Sequence, residues 1–68
     1  MAVAKVEEIS ATSTKSFEDA IKQGLARATK TLRGVKGACV KEQHVRVNDD
    51  GQIAEYQVNM TITFILDD

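Results

Sequence analysis

Glu55-Tyr56-Gln57-Val58-Asn59-Met60-Thr61-Ile62-Thr63-Phe64-Ile65-Leu66 is the stretch whose reading decides the fold. Its even-numbered residues, Tyr56, Val58, Met60, Ile62, Phe64 and Leu66, are all apolar. Its odd-numbered residues, Glu55, Gln57, Asn59, Thr61 and Thr63, are polar until Ile65 breaks the row. A period of two sustained this long is the signature of a strand with one dry face. Helical spacing would scatter the same apolar residues around a cylinder. The β-branched and aromatic content agrees with a strand. Twelve residues at the strand rise span roughly 40 Å, a long ribbon for a chain of 68 residues.

That length allows one small domain, residues 1–68, burying only about 60% of its unfolded surface. Chains of this size are commonly reinforced by disulfides, metals or oligomerisation. A single cysteine, Cys39, allows no intrachain disulfide, and no Cys/His cluster has the spacing of structural zinc. Oligomerisation remains. Nine basic and ten acidic residues leave a net charge of -1, which lacks the basic footprint of a nucleic-acid binder. The sequence carries neither an apolar run of membrane-spanning length nor a secretory leader pattern. These features predict a cytoplasmic protein with no nucleic-acid or membrane partner.

Outward from the ribbon, Val3 to Ile9 reads as a short strand. Val3, Val6 and Ile9 do not keep one alternation, so a bulge or a partly polar edge is expected. Ser10 to Lys15 reads as a Ser/Thr-rich loop. Ser16 is an N-cap, with Asp19 in the capping-box position and Glu18 beside it at the positive end of the helix dipole. Phe17, Ala20, Ile21, Leu25, Ala28 and Leu32 form an apolar stripe, so the spacing predicts a helix over 17–33, about 25 Å long. Gly24 and Ala28 let a sheet approach closely. Gly34 is the expected left-handed cap. A second long strand follows over about 36–48. Ala38 and Val40 are even, Val45 and Val47 odd, which calls for a bulge near 42–44. Asn48-Asp49-Asp50-Gly51 is a hairpin turn.

The fold class is therefore α+β, with the order β-α-β-β and a three-stranded antiparallel sheet wrapped around one helix. Two ribbons of about 40 Å outrun a helix of about 25 Å. The uncovered remainder, including 62–66, is expected to pack on a neighbouring copy in a homo-oligomer of more than two chains.

In this order and spacing the sequence resembles the dodecins, small β-α-β-β proteins that assemble into hollow twelve-subunit shells and bind flavins. The resemblance rests on Lys5-Val6-Glu7-Glu8-Ile9, Ser13-Thr14-Lys15-Ser16-Phe17-Glu18-Asp19-Ala20-Ile21, Arg27-Ala28, Thr31-Leu32-Arg33, residues 40–43, Tyr56-Gln57-Val58 and Phe64. It implies a dodecamer that binds and stores FMN or riboflavin without being an enzyme. Flavin-binding members stack a tryptophan on the isoalloxazine ring near the start of the second strand. Gly37 stands at that position here, and the chain has no tryptophan. Aromatic stacking of this kind is worth about 1–3 kcal/mol, so weakened affinity is expected. Gln57 matches the family glutamine that hydrogen-bonds the flavin edge, and Arg46 falls among the pocket-lining polar residues. The cofactor-site residues implied are Gln57, Gly37 and Arg46. The alternative is a flavin-independent cage that holds metal ions or another small ligand.

Other chemistry-bearing residues suggest less. His44 and Cys39 are five apart, on opposite faces of a regular strand, so only a bulge could align them. Without a partner carboxylate they make no nucleophile–base pair, and Cys39 is expected to be a small packed residue. Asp49 and Asp50, with Asp67 and Asp68, are too few for an oxygen cage in one chain and read as solvated charges. No metal or catalytic residue is assigned. Tyr56 and Phe64 belong to the core or to an interface.

Overall fold

The computed structural model describes residues 3–66. Four elements follow one another: β1 (Val3–Ser13), α1 (Phe17–Thr31), β2 (Val35–Val47) and β3 (Ile53–Leu66). The sheet is antiparallel, in the order β1-β3-β2, so the patterned ribbon is its central strand. The α+β class and the β-α-β-β order expected from the sequence are what the structure contains.

Alternation on β3 works as expected. Val58, Met60, Ile62 and Phe64 are buried, while the intervening residues are partly exposed. The buried row meets Ala20, Gly24 and Ala28 of α1. A Cβ on Gly24 would lie 2.5 Å from Met60 Cε and 3.1 Å from Ala11 Cβ, so the helix approaches as closely as the small-residue stripe allows. Phe17 meets Tyr56 edge to face, with ring centroids 5.1 Å apart.

The helix start is local and reads correctly. Ser16 Oγ accepts from the Asp19 amide at 2.9 Å. The Asp19 carboxylate does not turn back to the Ser16 amide as in a capping box. It accepts from the Ser13 hydroxyl and from the Gln23 side-chain amide, each at 2.6 Å. The helix ends two residues earlier than 33, at Thr31, with an extended Leu32 as C-cap. Gly34 has the positive φ expected of it, 72°, but serves the turn into β2. A Cβ there would sit 2.8 Å from the backbone oxygen of Ile65.

β1 runs four residues beyond Ile9, to Ser13, through most of the segment expected to be a loop. Ser10 and Thr12 pair with Asn59 and Gln57 on the polar face, and Ala11 faces Val58 on the dry one. Backbone pairing with a long central strand outweighs the turn preference of Ser and Thr. The β1–β3 register is continuous, so the broken alternation of Val3, Val6 and Ile9 reflects a polar edge and not a bulge.

The phase slip in β2 is real. Its bulge lies between Val40 and Glu42, at Lys41, just before the expected 42–44. Further irregularities lie between Val35 and Gly37 and between Arg46 and Val47. Gly51 closes the hairpin with φ 84°.

The expectation that 62–66 are left for a neighbouring copy is overturned for most of that stretch. Ile62 is 0% and Phe64 7% exposed inside the single chain, because the last turn of α1 and Leu32 reach that end of β3. Only Leu66 there is left open. The uncovered apolar surface lies on β2 and at the hairpin end, at Val40, Val45, Val47 and Ile53, and also on β1, at Val3 and Val6. The helix packs over β1 and β3 while β2 pairs only with β3, and within β2 only Val35 is shielded. The molecule is an elongated slab, 53 × 19 × 13 Å.

Candidate ligand-binding face

Residues paired across an antiparallel sheet share a face. Opposite the helix, β1 contributes Glu8, Ser10 and Thr12, β3 contributes Glu55, Gln57, Asn59, Thr61 and Thr63, and β2 contributes Gly37, Cys39, Glu42, His44 and Arg46. All three residues singled out from the sequence, Gln57, Gly37 and Arg46, lie on this face. Gln57 is flanked by Thr12 on one side and His44 on the other, and Arg46 pairs with Glu55. Arg46 Nε is 3.7 Å from Glu55 Oε1.

Gly37 is not gathered with them. It pairs with Thr63, six residues along β3 from Gln57, which separates the two by about 20 Å at the strand rise. Around Gly37, its two chain neighbours aside, no described atom comes within 4 Å of where a Cβ would stand.

A chain of hydrogen bonds crosses the face and organises Gln57. Gln57 Nε2 donates to Ser10 Oγ and to Asn59 Oδ1, both at 3.1 Å. Asn59 Nδ2 donates to Glu42 Oε1 at 2.9 Å, and His44 Nε2 lies 3.7 Å from the same oxygen. The Asn59 amide first, and then the neighbouring His44 ring, hold the Glu42 carboxyl below its ordinary range. Lys41, the bulge residue, reaches over β3 to Glu8 at 2.9 Å, and this bond raises the lysine above its ordinary value. Sequence reasoning named Gln57 and Arg46 as candidates but not the Ser10, Asn59 and Glu42 partners. Asn59 was available in the parity of β3. Glu42 was not, because its alignment depends on the bulge one residue before it.

The bulge also brings Cys39 and His44 to the same face, opposite Thr61 and Gln57. Those partners are four residues apart, about 13 Å, so the two side chains form no pair. Cys39 is exposed and not packed as expected. Asp49 and Asp50 are exposed in the hairpin turn, where Asp50 Oδ1 accepts from the Gln52 amide. Asp67 and Asp68 lie outside the described residues. Among the described residues no group of three or more His, Cys, Asp and Glu could hold a metal ion. A groove of about 480 Å³ opens on the other side of the sheet, between α1 and β1, over Ile9, Ala11, Gly24 and Ala28. It contains none of the three candidates. No described helix is long and apolar enough to cross a membrane.

The model of the family described as Dodecin matches residues 3–67. The chain belongs to the dodecin family. Solved structures agree with this fold over more than nine-tenths of their length. The tt0972 protein from Thermus thermophilus is 38% identical with a TM-score of 0.92, over 100% of this chain and 98% of that one. A dodecin from Streptomyces davaonensis is 37% identical with a TM-score of 0.91, over 98% and 97%. A calcium dodecin from Mycobacterium tuberculosis, described with a novel calcium-binding site, is 31% identical with a TM-score of 0.81, over 96% and 91%. Comparison with curated proteins finds no match. Dodecins are known as non-enzymatic binding proteins, and their chains assemble into homo-oligomeric shells; membership makes this chain a small-ligand-binding protein of the dodecin type.

Proposed function

We propose that the protein is a homododecameric flavin-binding and storage shell, cytoplasmic, taking FMN or riboflavin with lower affinity than its tryptophan-bearing relatives. The observation that carries this reading is Gln57. Its amide is fixed by Ser10 and Asn59 on a face open to a ligand, with Arg46 beside it. Gly37, about 20 Å away along the same face, reaches such a ligand only from a second copy, so each pocket forms between subunits. The exposed Val40, Val45, Val47 and Ile53 supply apolar surface for those copies to cover. The lone exposed Cys39 thiol supports a reducing compartment.

The test is a titration of riboflavin and FMN followed by flavin fluorescence, with the particle size read by light scattering. Quenching by a multi-subunit particle is expected. A monomer, or no quenching at tens of micromolar protein, overturns the proposal. Gly37→Trp restores the stacking surface in an open site and is expected to tighten binding about 5- to 150-fold, the equivalent of about 1–3 kcal/mol.

A second reading, a flavin-independent cage holding metal ions, is favoured by the calcium dodecin among the similar structures. A ligand set for it would have to be gathered from several copies, since the described residues of one chain offer none. Elemental analysis of the purified shell, with its absorption spectrum, separates the two.

A further inference from the structure

We infer that Glu42 is a specificity-determining positioning residue: its carboxylate fixes the direction of the Asn59–Gln57 hydrogen-bond relay, so that Gln57 presents only an acceptor to the ligand. The inference rests on Gln57 being a ligand contact, as proposed above.

Primary amides are two-ended. Asn59 and Gln57 could each offer either an oxygen or a nitrogen to a neighbour, and nothing within the pair decides which. An ionised carboxylate is one-ended, because it can only accept. Glu42 Oε1 therefore takes the Asn59 nitrogen, at 2.9 Å. The Asn59 oxygen is then turned toward Gln57, which must meet it with its own nitrogen, at 3.1 Å. The second hydrogen of that nitrogen goes to Ser10 Oγ, at 3.1 Å. Both donors of Gln57 are spent inside the protein. Among the described residues no hydrogen bond reaches its oxygen.

A ligand edge meeting Gln57 thus finds one acceptor and no free donor. The matching chemistry is a planar ring with an outward N–H. The imide edge of the isoalloxazine ring, one N–H between two carbonyls, is such an edge. Its N–H suits Gln57 Oε1, while its carbonyls get nothing from this amide. A cationic donor at position 42 would reverse the relay. Asn59 would turn its oxygen to that donor and its nitrogen to Gln57, and Gln57 would then present its own nitrogen outward.

Wild type, Glu42→Gln and Glu42→Lys are compared for binding of riboflavin and of riboflavin methylated on its imide nitrogen, with circular dichroism and light scattering reporting folding and assembly. Methylation is expected to weaken wild-type binding about tenfold or more, the effect of one buried hydrogen bond to an acceptor left unmet. Glu42→Lys is expected to shrink that penalty to about threefold or less, and Glu42→Gln, which can run either way, to an intermediate value. An equal penalty in all three proteins overturns the inference. If wild type binds neither ligand, the flavin reading fails, and the relay is still decided by neutron crystallography of the unliganded protein. Deuterons on the Gln57 atom facing Asn59, and on the Asn59 atom facing Glu42, uphold it, and the reverse placement overturns it.

Discussion

Gly34 is the residue with least freedom to change. It combines a φ of 72° with a Cβ direction 2.8 Å from the Ile65 backbone oxygen, so an added methyl meets main chain that cannot rotate away. The left-handed region alone costs a non-glycine residue about 1–2 kcal/mol. Gly34→Ala is expected to lower the thermal midpoint by about 4–16 °C on the scale for a domain of this size, compared at equal protein concentration. Asp19 makes a pH-dependent contribution. The Ser13 hydroxyl, with the Gln23 amide second, lowers its pKa. Stabilisation from a carboxyl held below its unfolded pKa is complete above about pH 3.9 and is lost as pH falls through the folded value. Asp19→Asn and Ser13→Ala are each expected to lower the midpoint at neutral pH and to flatten its further fall below pH 4, followed by circular dichroism. At this scale the sequence was legible where the physics is local. Ser16 caps and Gly51 turns because their backbone and side chains act within a few residues. Gln57 was legible as a polar residue on the wet face. Its orientation was not, because it is set by Glu42, fifteen positions away in sequence and adjacent only through the register.

Among the elements, β2 departs most from a regular pattern. The extra residue at Lys41 keeps Val40 and Val45 on one face and Cys39 and His44 on the other. A one-residue change of register moves a whole strand segment to the opposite side. Deleting Lys41 is therefore expected to separate Glu42 from Asn59, to abolish riboflavin quenching and to disturb assembly. Lys41→Ala keeps the extra residue and loses only an exposed ion pair with Glu8, so its midpoint is expected to stay close to wild type, since such pairs contribute little. Binding and midpoint measured together separate register from charge. The slip was visible in the parities of Ala38, Val40, Val45 and Val47. The reach of β1 to Ser13 was not, because Ser10, Thr12 and Ser13 carry turn chemistry and become strand only through pairing with 56–59.

For the whole molecule, the mismatch between long strands and a short helix was legible, but the surface it leaves bare was not. The helix spans β3 from Tyr56 to Phe64, and the apolar residues left bare lie on β2, at the hairpin, and at Val3, Val6 and Leu66. Placement of a helix along a sheet is decided by which small residues meet which large ones, here Gly24 against Met60. Val45 is 42% exposed on the helix side of the sheet, on the strand that the helix leaves uncovered. Val45→Glu puts a charge into the surface that neighbouring copies are proposed to cover, and light scattering is expected to show smaller species where wild type shows a shell. The strand order has a consequence for synthesis. The central strand is the last made, and Val3 pairs with Leu66. On the ribosome, the first strand and the helix emerge with no sheet to join, and only the 35–66 hairpin can template them once it is free. A subunit of this topology closes its sheet through its longest-range contacts, the pairing of 3–13 with 56–66, and such contacts form slowly.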